Sequence, residues 1–233
     1  MMYNLNMAKM LLIGKDIPEG YDFAKGLAGA ENQVFCAESD SNTDSGDLNE
    51  RIFTASWNKA SAISAHSLLI KAETRLETIE NVIFYFDADY LSSRFLDNST
   101  DEISTAIDTM ITPFLYITAE LLRRTEQKGN KLCAGFIVKN LRPEQTSGIV
   151  KIAEAAFCQL AENFAQNVSD RDYLRVFLAK SSALTEAVAG EAALGEWAAR
   201  ALGDISDKKQ SVKQATAWNK AGAKLGAGFP FFK

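Results

Sequence analysis

The chain has 233 residues, 47% hydrophobic and 24% charged, with a formal net charge of −5 and a pI near 5.1. That length and apolar content suit one large domain whose core offsets chain entropy without disulfides or metals, and they exclude a wholly disordered chain. The acidic balance speaks against nucleic acid, which selects a basic face, and no apolar run reaches the roughly 18 residues of a membrane span.

Residues 1–6 read as an untidy leader ahead of Met7, without the basic start and long apolar stretch of a secretion signal. Three cysteines, Cys36, Cys133 and Cys158, stand far apart in apolar surroundings with no C-x-x-C, so they are expected to be reduced and the protein cytoplasmic. The first apolar run, "KMLLIG" at 9–14, reads as a strand stopped by glycine, and a helical pattern follows from residue 20. Residues 32–39 and 51–57 read as the next two strands, separated by a polar loop at 39–50. A helix is predicted over 60–79.

"NVIFYFDA" at 81–88 is a β-branched and aromatic run, the mark of a strand buried on both faces. One long helix is predicted over 101–128, opened by the capping signature Ser99-Thr100-Asp101-Glu102 and closed at Lys128-Gly129. Strand and helix repeat at 132–140 and 147–166, and 172–180 supplies a sixth strand. Beyond residue 181 a helical extension of small residues leads, through the basic but polar "KKQSVKQ" at 208–214, to the apolar tail "GFPFFK". Strands alternating with helices imply βαβ crossovers and an α/β fold: a doubly wound, mostly parallel sheet of six or seven strands in three layers, with 8–180 as the core of a single domain and 181–233 as its extension.

Over about residues 8–180 this order of elements resembles the short-chain dehydrogenase/reductase family. The family's first turn, T-G-x-x-x-G-x-G, is matched by Ile13-Gly14-Lys15-Asp16-Ile17-Pro18-Glu19-Gly20 in its first and last glycines. Ala24 and Leu27 fall on that family's first-helix pattern, and Pro113-Phe114 on that of its long helix. The resemblance implies a Rossmann fold, NAD or NADP as hydride carrier, a Tyr-Lys pair supported by Ser and Asn, and a homodimer or tetramer formed through helices 101–128 and 147–166. Ala153, Ala155, Ala156, Phe157 and Leu160 suit such packing as well as they suit a core-facing stripe. The tail is expected to pack on a neighbouring copy.

The dinucleotide turn depends on backbone N–H groups and a helix N-terminus aimed at a diphosphate. Gly14, Lys15 and Gly20 are candidates for that role, and Glu38, at the end of the second strand, for a ribose. Pro18 replaces the middle glycine and has no N–H, while Asp16 and Glu19 would face the diphosphate; each like-charge contact at about 5 Å costs about 1–3 kcal/mol. Weakened or lost dinucleotide affinity is the expectation.

The family's tyrosine position falls on Thr146 or Ser147, with Lys151 near its lysine and Thr109 at its asparagine. The spacing Tyr21-x-x-x-Lys25 lies in the first helix, behind the turn, where no hydride acceptor sits. Candidates for substitute chemistry are Asp87, Lys139 and Lys151, with Asp89, Tyr90 and Asn140 beside them at strand ends, where open α/β folds place ligands. The one histidine, His66, reads as a surface or satisfied core residue, and no metal-ligand spacing is present. Two readings result: a catalytically silent binding or assembly module, or an active NAD(P)-dependent oxidoreductase with non-standard catalytic residues.

Overall fold

The computed structural model describes residues 7–29, 31–38, 49–96, 99–182, 188–206, 208 and 210–224. Most of the predicted 39–50 loop and the apolar end of the tail lie outside the described residues. A seven-stranded sheet runs in the order β3-β2-β1-β4-β5-β6-β7, and every neighbouring pair is parallel. Its strands are β1 (Lys9–Ile17), β2 (Gln33–Glu38), β3 (Ile52–Ser56), β4 (Asn81–Asp87), β5 (Leu132–Lys139), β6 (Leu174–Lys180) and β7 (Trp218–Lys220). The chain order leaves β1 and runs toward β3 on one side and toward β7 on the other, so the topological switch lies between β1 and β4.

Strand periodicity divides the core into two layers. Leu11, Ile13, Val82, Phe84 and Phe86 face α2 (Ala62–Leu76), α4 (Thr100–Met110), α5 (Thr112–Lys128) and α6 (Gly148–Val168). Met10, Leu12, Ile83 and Tyr85 face α1 (Tyr21–Ala28) and α7 (Glu191–Ser206). All seven residues of β4 are buried, as its unbroken apolar run predicts for a central parallel strand. On the first face Phe84 stacks on Phe136 at 4.7 Å and Phe114 meets Phe157 edge-on at 4.7 Å. On the second, α1 and α7 cross with their backbones in contact: a Cβ on Gly26 would strike the Ala192 carbonyl, and one on Gly195 the Phe23 carbonyl.

Several expectations need correction. Strand β1 does not stop at Gly14 but extends to Ile17; its regular pairing with β4 ends at Ile13, and its register with β2 shifts between Leu12 and Ile17. Gly14, at φ +96°, is where the strand bends away, so the glycine marks the end of the ladder rather than of the strand. The single helix expected over 101–128 is two, parted at Ile111, because Pro113 sits in the first turn of α5 and cannot supply an N–H to a continuing helix. Ser99 does cap α4, accepting the Glu102 N–H. An unpredicted helix, α3 (Ala88–Arg94), begins directly at the end of β4, capped by Asp87. The extension is not purely helical: past α7 and the four-residue α8 (Val212–Ala215) it adds β7 to the sheet edge. Along α6, Ala153 and Phe157 turn into the core, whereas Ile152 and Ala155 face outward.

His66 is a surface residue in a charged tie between α2 and α5. Glu120 accepts hydrogen bonds from Arg123 and Arg124 and contacts His66 Nδ1 at 2.7 Å, while Arg124 also reaches Glu73 at 2.7 Å. The Arg123 guanidinium, helped by Arg124 and His66 and opposed by burial, holds the Glu120 carboxyl down to about 2. A depressed carboxyl stabilises the fold fully above its unfolded value, about 4.3, and loses that contribution as pH falls through the folded value. Urea unfolding should therefore show Glu120→Gln less stable than wild type at pH 7 and the gap nearly closed close to pH ~2. A gap that does not narrow in acid would contradict the tie.

Candidate functional site

The β1 bend, α3, the last turns of α4 and the start of α5 enclose a cavity of about 410 Å³ at the C-terminal edge of the sheet, beside the switch point. Gly14, Lys15, Asp16, Glu19, Lys59, Tyr85, Tyr90, Arg94, Thr105 and Thr109, the last at the family's asparagine position, contribute its polar lining, with Leu91, Met110 and Phe114 among its apolar lining. Open α/β folds bind ligands at this place, and the volume lies in the range of small-molecule sites.

Both cradle glycines are packed against the chain's own backbone. A Cβ on Gly14 would collide with the Tyr85 carbonyl and the Phe114 ring, and one on Gly20 with the Lys15 and Asp16 carbonyls. Between them, the Gly20 N–H donates to the Asp16 carbonyl at 2.6 Å and the Tyr21 N–H to the Pro18 carbonyl at 3.0 Å. The turn is thus closed by its own backbone, and the Ile17–Pro18 bond within it is cis.

The cations of the cleft are committed in the same way. Lys59 pairs with Asp16 at 2.6 Å, and Arg94 with Glu19 at 3.2 Å. The buried Asp16 Oδ1 has no hydrogen-bond partner among the described residues, which leaves an uncompensated acceptor where a diphosphate would lie. Lys15 does not point to the helix terminus at all. Its ammonium is buried and bonds Asp87, lies 3.6 Å from Glu191 and sits 5.2 Å from the centre of the Tyr85 ring.

Lys15, Asp87, Lys139 and Glu191 form one cluster of two cations and two anions, with Lys15 and Asp87 buried and Lys139 and Glu191 half-buried at its edge. Lys139 reaches Glu191 at 2.5 Å and Asp87 at 3.5 Å, and the Tyr85 hydroxyl donates to both Glu191 oxygens at 3.1 and 3.2 Å. Asp87 Oδ1 also accepts the Tyr90 N–H, so the same carboxylate that neutralises Lys15 starts α3. Burial, then the carboxylates of Glu191 and Asp87, push the Tyr85 hydroxyl well above its ordinary value. Burial and Glu19 push Tyr90 up to about 12, with Arg94 opposing. Both tyrosines therefore move away from the activated state that proton transfer requires.

Of the residues singled out from the sequence, Gly14, Lys15, Gly20, Asp87 and Lys139 gather at this edge, with Lys15, Asp87 and Lys139 in direct contact. Glu38 ends β2 as expected, but accepts the Thr54 hydroxyl at 3.2 Å and does not line the cavity. Lys151 is exposed on α6 and lines a separate open groove with Asn140 and Glu154. Asp89 holds the β5–α6 connection by accepting the backbone N–H groups of Leu141 and Arg142. At the tyrosine position, Thr146 is buried and donates to Asn140, while Ser147 caps α6. Tyr21 and Lys25 lie on α1. Burial, then Asp16, push the Cys36 thiol up, as expected of an inert buried cysteine.

Sequence reasoning missed Tyr85 and Glu191. Tyr85 is concealed in an apolar run, and Glu191 acquires its place only through the close α1–α7 crossing. An acidic residue directly after Gly190 at a helix start was the available signal. Among the described residues no group of three or more His, Cys, Asp or Glu side chains could hold a metal ion, and no helix is long and apolar enough to cross a membrane.

No known family pattern and no curated protein matches the sequence. Solved structures do match the fold. A protein described as a short chain dehydrogenase/reductase family oxidoreductase from Aeromonas hydrophila aligns over 87% of this chain and 92% of its own, at 12% identity and TM-score 0.62. A 3-ketoacyl-(acyl-carrier-protein) reductase from Brucella melitensis, complexed with NADH, aligns over 76% of this chain and 75% of its own, at 11% identity and TM-score 0.58. A short chain dehydrogenase from Bacillus anthracis aligns over 74% and 75%, at 15% identity and TM-score 0.57. The chain has the Rossmann-like fold of the short-chain dehydrogenases/reductases.

Proposed function

We propose that the chain is a divergent protein of the short-chain dehydrogenase/reductase fold with weakened or lost NAD(P) binding and hydride chemistry, working as a binding or assembly module. The observation that carries this reading is the commitment of the cleft's cations, Lys15, Lys59 and Arg94, to the chain's own carboxylates. A nicotinamide dinucleotide does not fit these residues: its diphosphate would meet Asp16 and Glu19, find the Gly20 N–H already donated to the Asp16 carbonyl, and compete with internal ion pairs.

The rival reading, an active NAD(P)-dependent oxidoreductase with relocated groups, draws support from the NADH complex of one fold relative and from the Tyr85 hydroxyl lying near two lysines through Glu191. It requires an acid tuned toward neutrality, and neither Tyr85 nor Tyr90 is so tuned. Thermal-shift titration with NAD, NADH, NADP and NADPH separates the two, because a ligand at 100 times its dissociation constant stabilises by about 2.7 kcal/mol. The expected result is no shift at millimolar dinucleotide. A clear shift for one form would restore the oxidoreductase reading.

For assembly, the outward faces of α4, α5 and α6 carry Ile107, Leu115 and Ile152 at 43%, 48% and 64% exposure, which suits contact with a second copy. Light scattering at micromolar protein should give a dimeric or tetrameric mass. A monomer would remove the assembly part of the reading.

A further inference from the structure

Three donors from three adjacent strands converge on a single carboxylate. Lys15 from β1, Tyr85 from β4 and Lys139 from β5 all face Glu191, which reaches them from the start of α7. We propose that these donors form a carboxylate-binding site whose resident ligand is the Glu191 side chain, and that a small monocarboxylate occupies it when that side chain is removed. The inference rests on the binding-module reading only for the expectation that a ligand reaches this edge.

The charge balance selects the ligand. Lys15 and Lys139 carry two positive charges and Asp87 one negative, so without Glu191 both lysines share one carboxylate and a net positive charge is left in a largely enclosed site, a costly state that an anion relieves. Asp87 lies 3.5 Å from Lys139, which disfavours a dianion such as a phosphate monoester. Within the resident carboxylate, Oε1 takes Lys139 and the tyrosine hydroxyl while Oε2 takes the hydroxyl alone, a geometry that a free carboxylate reproduces.

Access is provided on two sides. Lys15 and Tyr85 line the 410 Å³ cavity, and the Glu191 side chain is itself 21% exposed. The carboxylate is tethered because Gly26 and Gly195 let α7 lie directly on α1, which fixes the start of α7 over the strand ends.

The test is chemical rescue in the full chain, comparing sodium acetate with sodium chloride at matched ionic strength. Glu191→Ala should melt below wild type in chloride, and acetate should recover about half of that loss or more. Wild type and the double variant Glu191→Ala/Lys139→Met should show no such acetate-specific gain, which separates site occupancy from general salt effects. If Glu191→Ala fails to fold in chloride, refolding yield in acetate against chloride is the readout. Absence of an acetate-specific gain, or an equal gain in wild type or the double variant, would overturn the site. None of these arms contains a dinucleotide, so their failure and a dinucleotide-induced shift are distinguishable.

Discussion

Replacing Asp87 with alanine will destabilise the protein by about 3–5 kcal/mol, the usual cost of breaking a buried ion pair from one side. Asp87 is 2% exposed and Lys15 6%, so the lysine left behind has little water to turn to. Loss of the α3 cap adds about 1 kcal/mol more. The diagnostic comparison is Lys15→Met/Asp87→Asn, which removes one charge of each sign, keeps a capping side chain and leaves Lys139 paired with Glu191. That double variant should lie within about 1–2 kcal/mol of wild type in urea unfolding, since a buried pair exchanged for neutral groups is often close to neutral. A double variant as unstable as Asp87→Ala would show that shape, not charge balance, holds the cluster. Burial pulls the Lys139 ammonium down, but Asp87 and Glu191 outweigh it and hold the pKa above its usual value. A raised lysine contributes fully below its unfolded value and loses that contribution only as pH rises through the folded one, so the cluster stays intact across neutral pH.

Gly14→Ala will be nearly as damaging, at roughly 2–5 kcal/mol, from left-handed backbone strain and overpacking together. At φ +96° an alanine is strained before any contact is considered, and its methyl would fall on the Tyr85 carbonyl and the Phe114 ring. The backbone atom cannot yield without disturbing the β1–β4 ladder. A melting temperature unchanged by Gly14→Ala would contradict both the left-handed bend and the close packing at this position.

The architecture was legible where burial dictates composition. The run at 81–88 reads as a strand buried on both faces and is the central β4, and the capping residue Ser99 stands where α4 begins. Helix α3 was hidden because its seven residues are too few for a helical pattern and follow the strand with no connecting loop, and β7 because three residues are too short for periodicity. Pro113 did carry the signal that divides 101–128 into two helices, since proline suits a first turn and not an interior.

The site was half legible for a physical reason. Asp16, Pro18 and Glu19 lie together in the turn, and their conflict with a diphosphate follows from charge and a missing N–H. What replaces the diphosphate is not local: Lys15 meets Asp87 across 72 positions, and Tyr85 meets Glu191 across 106. Pairings of that span depend on strand order and helix crossing, which residue spacing alone does not encode. Glu38 and Lys151 were plausible by position along the chain, yet one is spent on Thr54 and the other faces solvent.

The most direct measurement is a fluorescence titration of wild type with NADH, followed through reduced-nicotinamide emission, beside Asp16→Asn/Glu19→Gln. The internal ion pairs predict a linear, unsaturated signal for wild type, with any gain in affinity confined to the variant that sheds both carboxylates. Saturable enhancement of nicotinamide emission by wild type at micromolar NADH would contradict the account.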